Sequence, residues 1–162
     1  MRKESPVSKI YEALSALSDG RVRSNGTDEW LVLSSDHSKY YTVRRKDGVY
    51  SSNDNATLWQ HYAGYPILAV WMKEGLLPVD ASVLPALANI PWKALNVKHR
   101  NKYEESIAEV RSSWSEEEDR EIQAEILAVQ EALKKIPNDV KGNRVPLGKE
   151  ETFALGLADS QA

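Results

Sequence analysis

A chain of 162 residues is long enough to bury a core of ordinary domain size without cross-links. It has no cysteine, which excludes disulfides, thiolate catalysis and every cysteine-containing zinc site, and its three histidines, His37, His61 and His99, stand far apart. The net charge of −3 conceals a split: residues 1–103 hold 14 Lys+Arg against 10 Asp+Glu, whereas 104–162 hold 7 against 14, so the two parts meet different surroundings, or each other, or are two ordinary solvated faces.

The opening MRKESPVSKIYEAL has no apolar run after its two basic residues, and no window approaches the roughly 20 apolar residues of a membrane span. The expectation is a soluble, cytoplasmic protein without a membrane partner. Ser5 before Pro6 reads as an N-cap with proline in the first turn, and Val7, Ile10, Tyr11, Leu14 and Leu17 fall on one helical stripe that Gly20 ends. Segments 21–23, 29–34, 39–45 and 49–52 read as short strands separated by Ser24-Asn25-Gly26, Asp36-His37-Ser38 and Lys46-Asp47-Gly48, an antiparallel meander of three or four strands.

From Asn55 the period becomes helical, with Leu58, Trp59, Tyr62, Ile67, Val70 and Trp71 at three-and-four spacing and Gly75 at the end. Pro66 lacks an amide hydrogen and crowds the preceding turn, so Gly64-Tyr65-Pro66 divides this stretch into two helices or a kink. Asp80 caps a short apolar segment, 83–90, and Pro91 opens another around Trp92 and Leu95. A long acidic helix is expected over 101–136, stopped by Pro137, and then a tail, 137–162, expected to be flexible. The organisation predicted is an α+β domain over 1–100, a small antiparallel sheet packed by helices, followed by a long C-terminal helix.

The strand–turn–strand–helix order of residues 39–73, KYYTVRRKDGVYSSNDNATLWQHYAGYPILAVWM, resembles a SWIM-type zinc finger. Tyr41-Thr42-Val43 matches the first strand of that family, Asp54 an aspartate that follows its second cysteine, and Ile67-Leu68-Ala69-Val70 the start of its helix. The four ligand positions fall on Tyr50, Ser52, Gly64 and Pro66, none of which replaces a thiolate or imidazole on zinc. The resemblance therefore implies a metal-free copy, with no cofactor, associated with DNA or protein binding rather than chemistry. Trp30, Trp59, Trp71 and Trp92 offer large apolar areas to fill the space a metal site would otherwise organise.

Arg44, Arg45 and Lys46 beside Lys39 form a cationic cluster on the hairpin, with Lys98, His99, Arg100 and Lys102 further on, Arg21 and Arg23 on the first strand, and Tyr40, Tyr41 and Tyr50 available for stacking. Of these, Lys39, Arg44, Arg45, Lys46, Lys98 and Arg100 are the expected nucleic-acid contact set, for DNA or RNA. Side chains alternate across a strand, so Arg44 and Arg45 point to opposite faces, and a plain solvated edge accounts for the same residues. Ser34-Ser35-Asp36-His37 holds the residue types of a hydrolase triad but cannot adopt its geometry within one turn, and no Gly-rich nucleotide loop occurs. No catalytic residue and no metal ligand is assigned.

Ile122, Ile126, Val129, Leu133 and Ile136 are spaced 4, 3, 4, 3, a heptad seam about two repeats long. An earlier stripe, Ile107, Val110 and Trp114, is out of register with it by a residue. Two repeats are marginal alone, so the seam either pairs with a protein partner or a second copy, or packs back on its own chain. The expectation is a non-enzymatic binding module acting on nucleic acid or in a nucleic-acid-processing complex, with an interaction adaptor using the acidic helix as its alternative.

Overall fold

The structure is a computed structural model and describes residues 2–150 and residue 153. Helix α1 (Val7–Ser18) begins at Pro6 without a side-chain cap. The Ser5 hydroxyl, expected to cap it, donates instead to the Ala63 carbonyl at 2.7 Å, because that carbonyl is buried and would otherwise lack a donor. Strands β1 (Val22–Ser24), β2 (Glu29–Leu33), β3 (Tyr40–Lys46) and β4 (Val49–Ser52) form the expected antiparallel meander. The β3–β4 turn works because Asp47 and Gly48 both take positive φ, 51° and 77°, the handedness that matches twisted hairpin strands.

Helices α2 (Asn55–Gln60) and α3 (Tyr65–Lys73) flank the expected break. Asp54 caps α2 by accepting from the Thr57 amide at 3.0 Å and its hydroxyl at 2.8 Å, and the Thr57 hydroxyl oxygen accepts the Gly64 amide at 3.0 Å. A side chain at Gly64 would place its Cβ 2.1 Å from Asp54 Oδ2, so only glycine closes this corner. A 3-10 segment (Ala81–Leu87) capped by Asp80 and helix α4 (Trp92–Lys98) follow.

The single helix expected over 101–136 is two, α5 (Tyr103–Arg111) and α6 (Glu116–Leu133). Ser115 and Glu118 make a reciprocal capping box that starts a new helix, satisfying amides that a continuous helix would not leave open. The sheet also has a fifth strand, β5 (Val140–Gly142), in the segment expected to lack regular structure; it runs parallel to β4, giving the order β1-β2-β3-β4-β5. It lies there because Gly142 lets the strand approach Leu58, where a Cβ would come within 2.3 Å of Leu58 Cδ2.

The class is α+β. Helix α3 packs on one face of the sheet, α1 on α3, and α6 with the 3-10 segment on α1. Trp30, Tyr50 and Trp71 form the central ring cluster, with Tyr50 edge-on to Trp71 at 5.5 Å and stacked on Trp30 at 6.0 Å. Trp92 is also buried, but Trp59, expected to share that role, is 77% exposed, because Leu58 takes the inward position on the short α2. Tyr50, Ser52, Gly64 and Pro66 are all buried in this packing. On the opposite face Leu31 and Leu33 pack with Phe153 and Tyr40, and Tyr40 exchanges amide hydrogen bonds with Gly148 at 2.9 and 3.1 Å.

The heptad seam does not face outward. Ile122, Ile126, Val129 and Leu133 are buried in the main core and Ile136 packs against it, so the monomer itself supplies the partner surface. Among the described residues no helix is long and apolar enough to cross a membrane.

Candidate functional site

Helix α1, the approach to β3, the α2–α3 junction and α4 leave between them a half-open cleft of about 300 Å³, at the small end of ligand-sized pockets. Helix α1 carries Lys9 and Glu12 into it one turn apart on the same face. Glu12 is buried; one carboxylate oxygen lies 3.4 Å from Lys9 Nζ and the other accepts from Asn96 Nδ2 at 2.9 Å. Burial pushes the Glu12 carboxyl above its ordinary range, and the attraction of Lys9 and the Asn96 hydrogen bond offset that only in part. For Lys9 burial works downward, but Glu12 and the neighbouring tyrosines Tyr103 and Tyr62 outweigh it, so its ammonium is held above the ordinary value.

The sheet supplies Arg21, Lys39 and Tyr41. Arg21, next to β1, is buried, donating to the Leu33 carbonyl at 2.7 Å and to Asp19 at 3.2 Å. Lys93 of α4 pairs with Asp36 at 3.2 Å. Burial disfavours the Asp36 anion, but hydrogen bonds from Ser38, Ser34 and Lys93 together hold its carboxyl below the usual range. Trp92 is anchored by its indole N–H, which donates to Ser15 Oγ at 2.8 Å.

Lys39 differs from these cations. Its ammonium lies 5.7 Å from the Tyr41 ring centroid and has no carboxylate partner among the described residues. Tyr41 meets Tyr65 edge-on at 5.9 Å. Burial, then the charge of Asp54, pushes the Tyr41 hydroxyl up; burial, then Tyr41, does the same for Tyr65. Both phenols therefore stay protonated and serve as donors at any physiological pH, and neither makes a hydrogen bond within the described residues. The remaining wall is the α4–α5 turn, with Val97, Asn101 and Tyr103. Here Arg100 and Asn101 take consecutive left-handed conformations, φ 55° and 62°, a strained arrangement for arginine.

Of the six cations Lys39, Arg44, Arg45, Lys46, Lys98 and Arg100 expected to meet nucleic acid, the cleft gathers only Lys39, with Tyr41 from the expected stacking residues. Arg44 pairs with Glu29 at 2.7 Å on one face of the sheet. Arg45 reaches the other face, paired with Asp28 and lying over Trp30. Lys46 is exposed at the far end of β3, Lys98 pairs with Glu109 at 2.6 Å, and Arg100 turns the chain between α4 and α5. These six residues do not form one surface. Sequence reasoning missed Lys9, Glu12, Tyr65 and Asn96; Arg21 was read only as one more cation of the basic surface. The only trace of Glu12 was a position off the apolar stripe of α1, which reads as solvent-facing in any amphipathic helix. Among the described residues there is no cluster of three or more metal-ligating side chains.

A model of the family described as uncharacterised conserved protein UCP014422 matches residues 2–139, a span that contains every residue named above as bordering the cleft. No curated protein and no solved structure matches the chain.

Proposed function

We propose that this chain, which belongs to the uncharacterised conserved UCP014422 family, is a non-enzymatic binding module that holds a small anion in its α1–α4 cleft. The observation that carries this reading is the half-buried Lys39 ammonium, unmatched by a carboxylate among the described residues, beside two tyrosine hydroxyls kept protonated and without acceptors. Binding is favoured over chemistry because the titratable groups nearby are engaged with one another: Lys9 with Glu12, Arg21 with Asp19, Lys93 with Asp36. Ser34 donates to Asp36 and the Ser35 hydroxyl oxygen accepts from the Lys93 amide, so neither is poised as a nucleophile beside a base.

The test is a screen of simple anions against thermal stability. A ligand at one hundred times its dissociation constant stabilises the folded state by about 2.7 kcal/mol, and Lys39→Met removes that gain while leaving the unliganded midpoint unchanged. A gain that survives Lys39→Met rejects the site.

Nucleic acid belongs to the same class of ligand and is tested alongside. Binding through Lys39 alone gives a shallow salt dependence of about one counterion, whereas a slope of four or more places the contact on the hairpin and Lys98–Arg100 surface instead. Descent from a SWIM-type finger is a proposal about the scaffold, in which the packed rings of Trp30, Tyr50 and Trp71 stand where a metal would be; tight zinc binding by the chain overturns it.

A further inference from the structure

We infer, resting on the anion-binding reading above, that the cleft's ligand is a monocarboxylate carrying an apolar arm. The charge of the cleft sets the first half of this. Four cations border it, Lys9, Arg21, Lys39 and Lys93. Three already face a carboxylate, at 3.4, 3.2 and 3.2 Å respectively for Lys9, Arg21 and Lys93. Lys39 alone has no carboxylate partner among the described residues, so it is the one cation of the cleft open to a ligand. Asp54 and Glu12 also border the cleft, and both act electrostatically on Tyr41 and Tyr65. Among the described residues the Asp54 oxygens accept from Thr57 and from no cation. A dianion would set its second charge against these carboxylates with no cation to meet it, whereas a monoanion is matched by Lys39. The two oxygens of a carboxylate can accept from the three available donor groups, one ammonium and two phenol hydroxyls.

The rim sets the second half. Large apolar side chains scattered over a surface need no explanation, but here two of them border the cleft. Val97 is 70% exposed and Tyr103 is 37% exposed, and both form its α4–α5 wall. Trp59, 77% exposed, follows Asn55 by four residues on α2 and so shares the helical face of a residue that borders the cleft. A carboxylate seated at Lys39, Tyr41 and Tyr65 leaves the rest of its molecule to cross this rim. The arm is aryl or branched alkyl, belonging to a free acid or to the terminal residue of a peptide.

The experiment follows backbone amide shifts of the labelled full chain during titration with 3-phenylpropionate, its neutral amide, acetate, phenyl phosphate at a pH where it is dianionic, and the peptide Gly-Gly-Phe. The expected result is that 3-phenylpropionate moves the amides of Tyr41, Tyr65 and Val97, that acetate and phenyl phosphate bind at least about ten-fold more weakly, and that the amide does not bind. Lys39→Met lowers 3-phenylpropionate affinity at least about ten-fold, and Val97→Ser weakens 3-phenylpropionate while leaving acetate unchanged. Phenyl phosphate binding as tightly as the carboxylate overturns the monocarboxylate assignment and leaves an anion site standing. Acetate binding as tightly as 3-phenylpropionate overturns the arm. Absence of shifts at the cleft with every anion at millimolar concentration overturns both this inference and the anion-binding reading. A stronger response to Gly-Gly-Phe than to 3-phenylpropionate assigns the carboxylate to a peptide terminus, and a weaker one to free acids.

Discussion

Glu12 has been taken out of water and left with one ammonium and one amide as neighbours, and the desolvation of its charge exceeds what they return. Because its folded-state pKa is raised, the folded chain holds this proton at pH values where the unfolded chain has released it. Stability from this group is therefore complete below the ordinary value of 4.5 and declines as pH rises from there through the folded value. The difference in melting temperature between Glu12→Gln and wild type should grow in favour of the variant across that window; a difference independent of pH would show that Glu12 keeps an ordinary pKa. Lys9→Met, which strands the buried carboxylate, should cost about 3 kcal/mol at neutral pH by chemical denaturation, and far less when combined with Glu12→Gln. None of this was legible in the sequence. Lys39 was, as a cation beside tyrosines on a hairpin, but its neighbours Arg44 and Arg45 were equally prominent there, and only the cross-strand register that brings Glu29 opposite Arg44 separates a paired cation from an open one.

The break between α5 and α6 is written in four residues. Ser115 accepts the Glu118 amide at 3.1 Å while Glu118 accepts the Ser115 amide at 2.9 Å, and Arg111 ties the two helices by a two-pronged bond to Asp119 at 2.9 and 2.8 Å. Ser115→Ala should destabilise the protein by about 1 kcal/mol in urea unfolding, with an unchanged slope. The Ser-x-x-Glu pattern could be read from the chain, and the one-residue slip between the stripe of Ile107, Val110 and Trp114 and that beginning at Ile122 was its consequence, since two helices need not share a register. β5 left no comparable mark. Val140, Lys141 and Gly142 have no strand periodicity, and their conformation comes from pairing with Tyr50, Ser51 and Ser52. The meander and the α2–α3 division were legible because Asp47-Gly48 and Gly64-Tyr65-Pro66 force the backbone locally.

At the scale of the molecule, α1 sits between α3 on one side and α6 with the 3-10 segment on the other, which is why residues 10–16 are buried around the whole helix. The apolar seam of α6 completes that layer. Ile126→Asp should therefore unfold the chain, costing more than about 3 kcal/mol, whereas Leu127→Asp, at a position 62% exposed, should change stability little. Circular dichroism melts of the two variants decide it; a folded Ile126→Asp protein of altered solution mass would return the seam to an intermolecular role. The α+β class was readable from periodicity alone. The cleft was not, because its walls come from separate stretches of chain that only tertiary packing assembles.

The parallel pairing of β5 also orders events in time. Asn138 bonds to the Gly48 carbonyl across 90 residues of sequence, so the meander can form early from neighbouring contacts, but the far side of β4 can be closed only after the helices between have been synthesised and folded. On the ribosome that edge, Val49–Ser52, stands open through most of translation, and a chain cut short at Pro137 would keep it open permanently, a template for pairing with another molecule. The last strand is thus the latch that turns an aggregation-prone intermediate into a finished sheet.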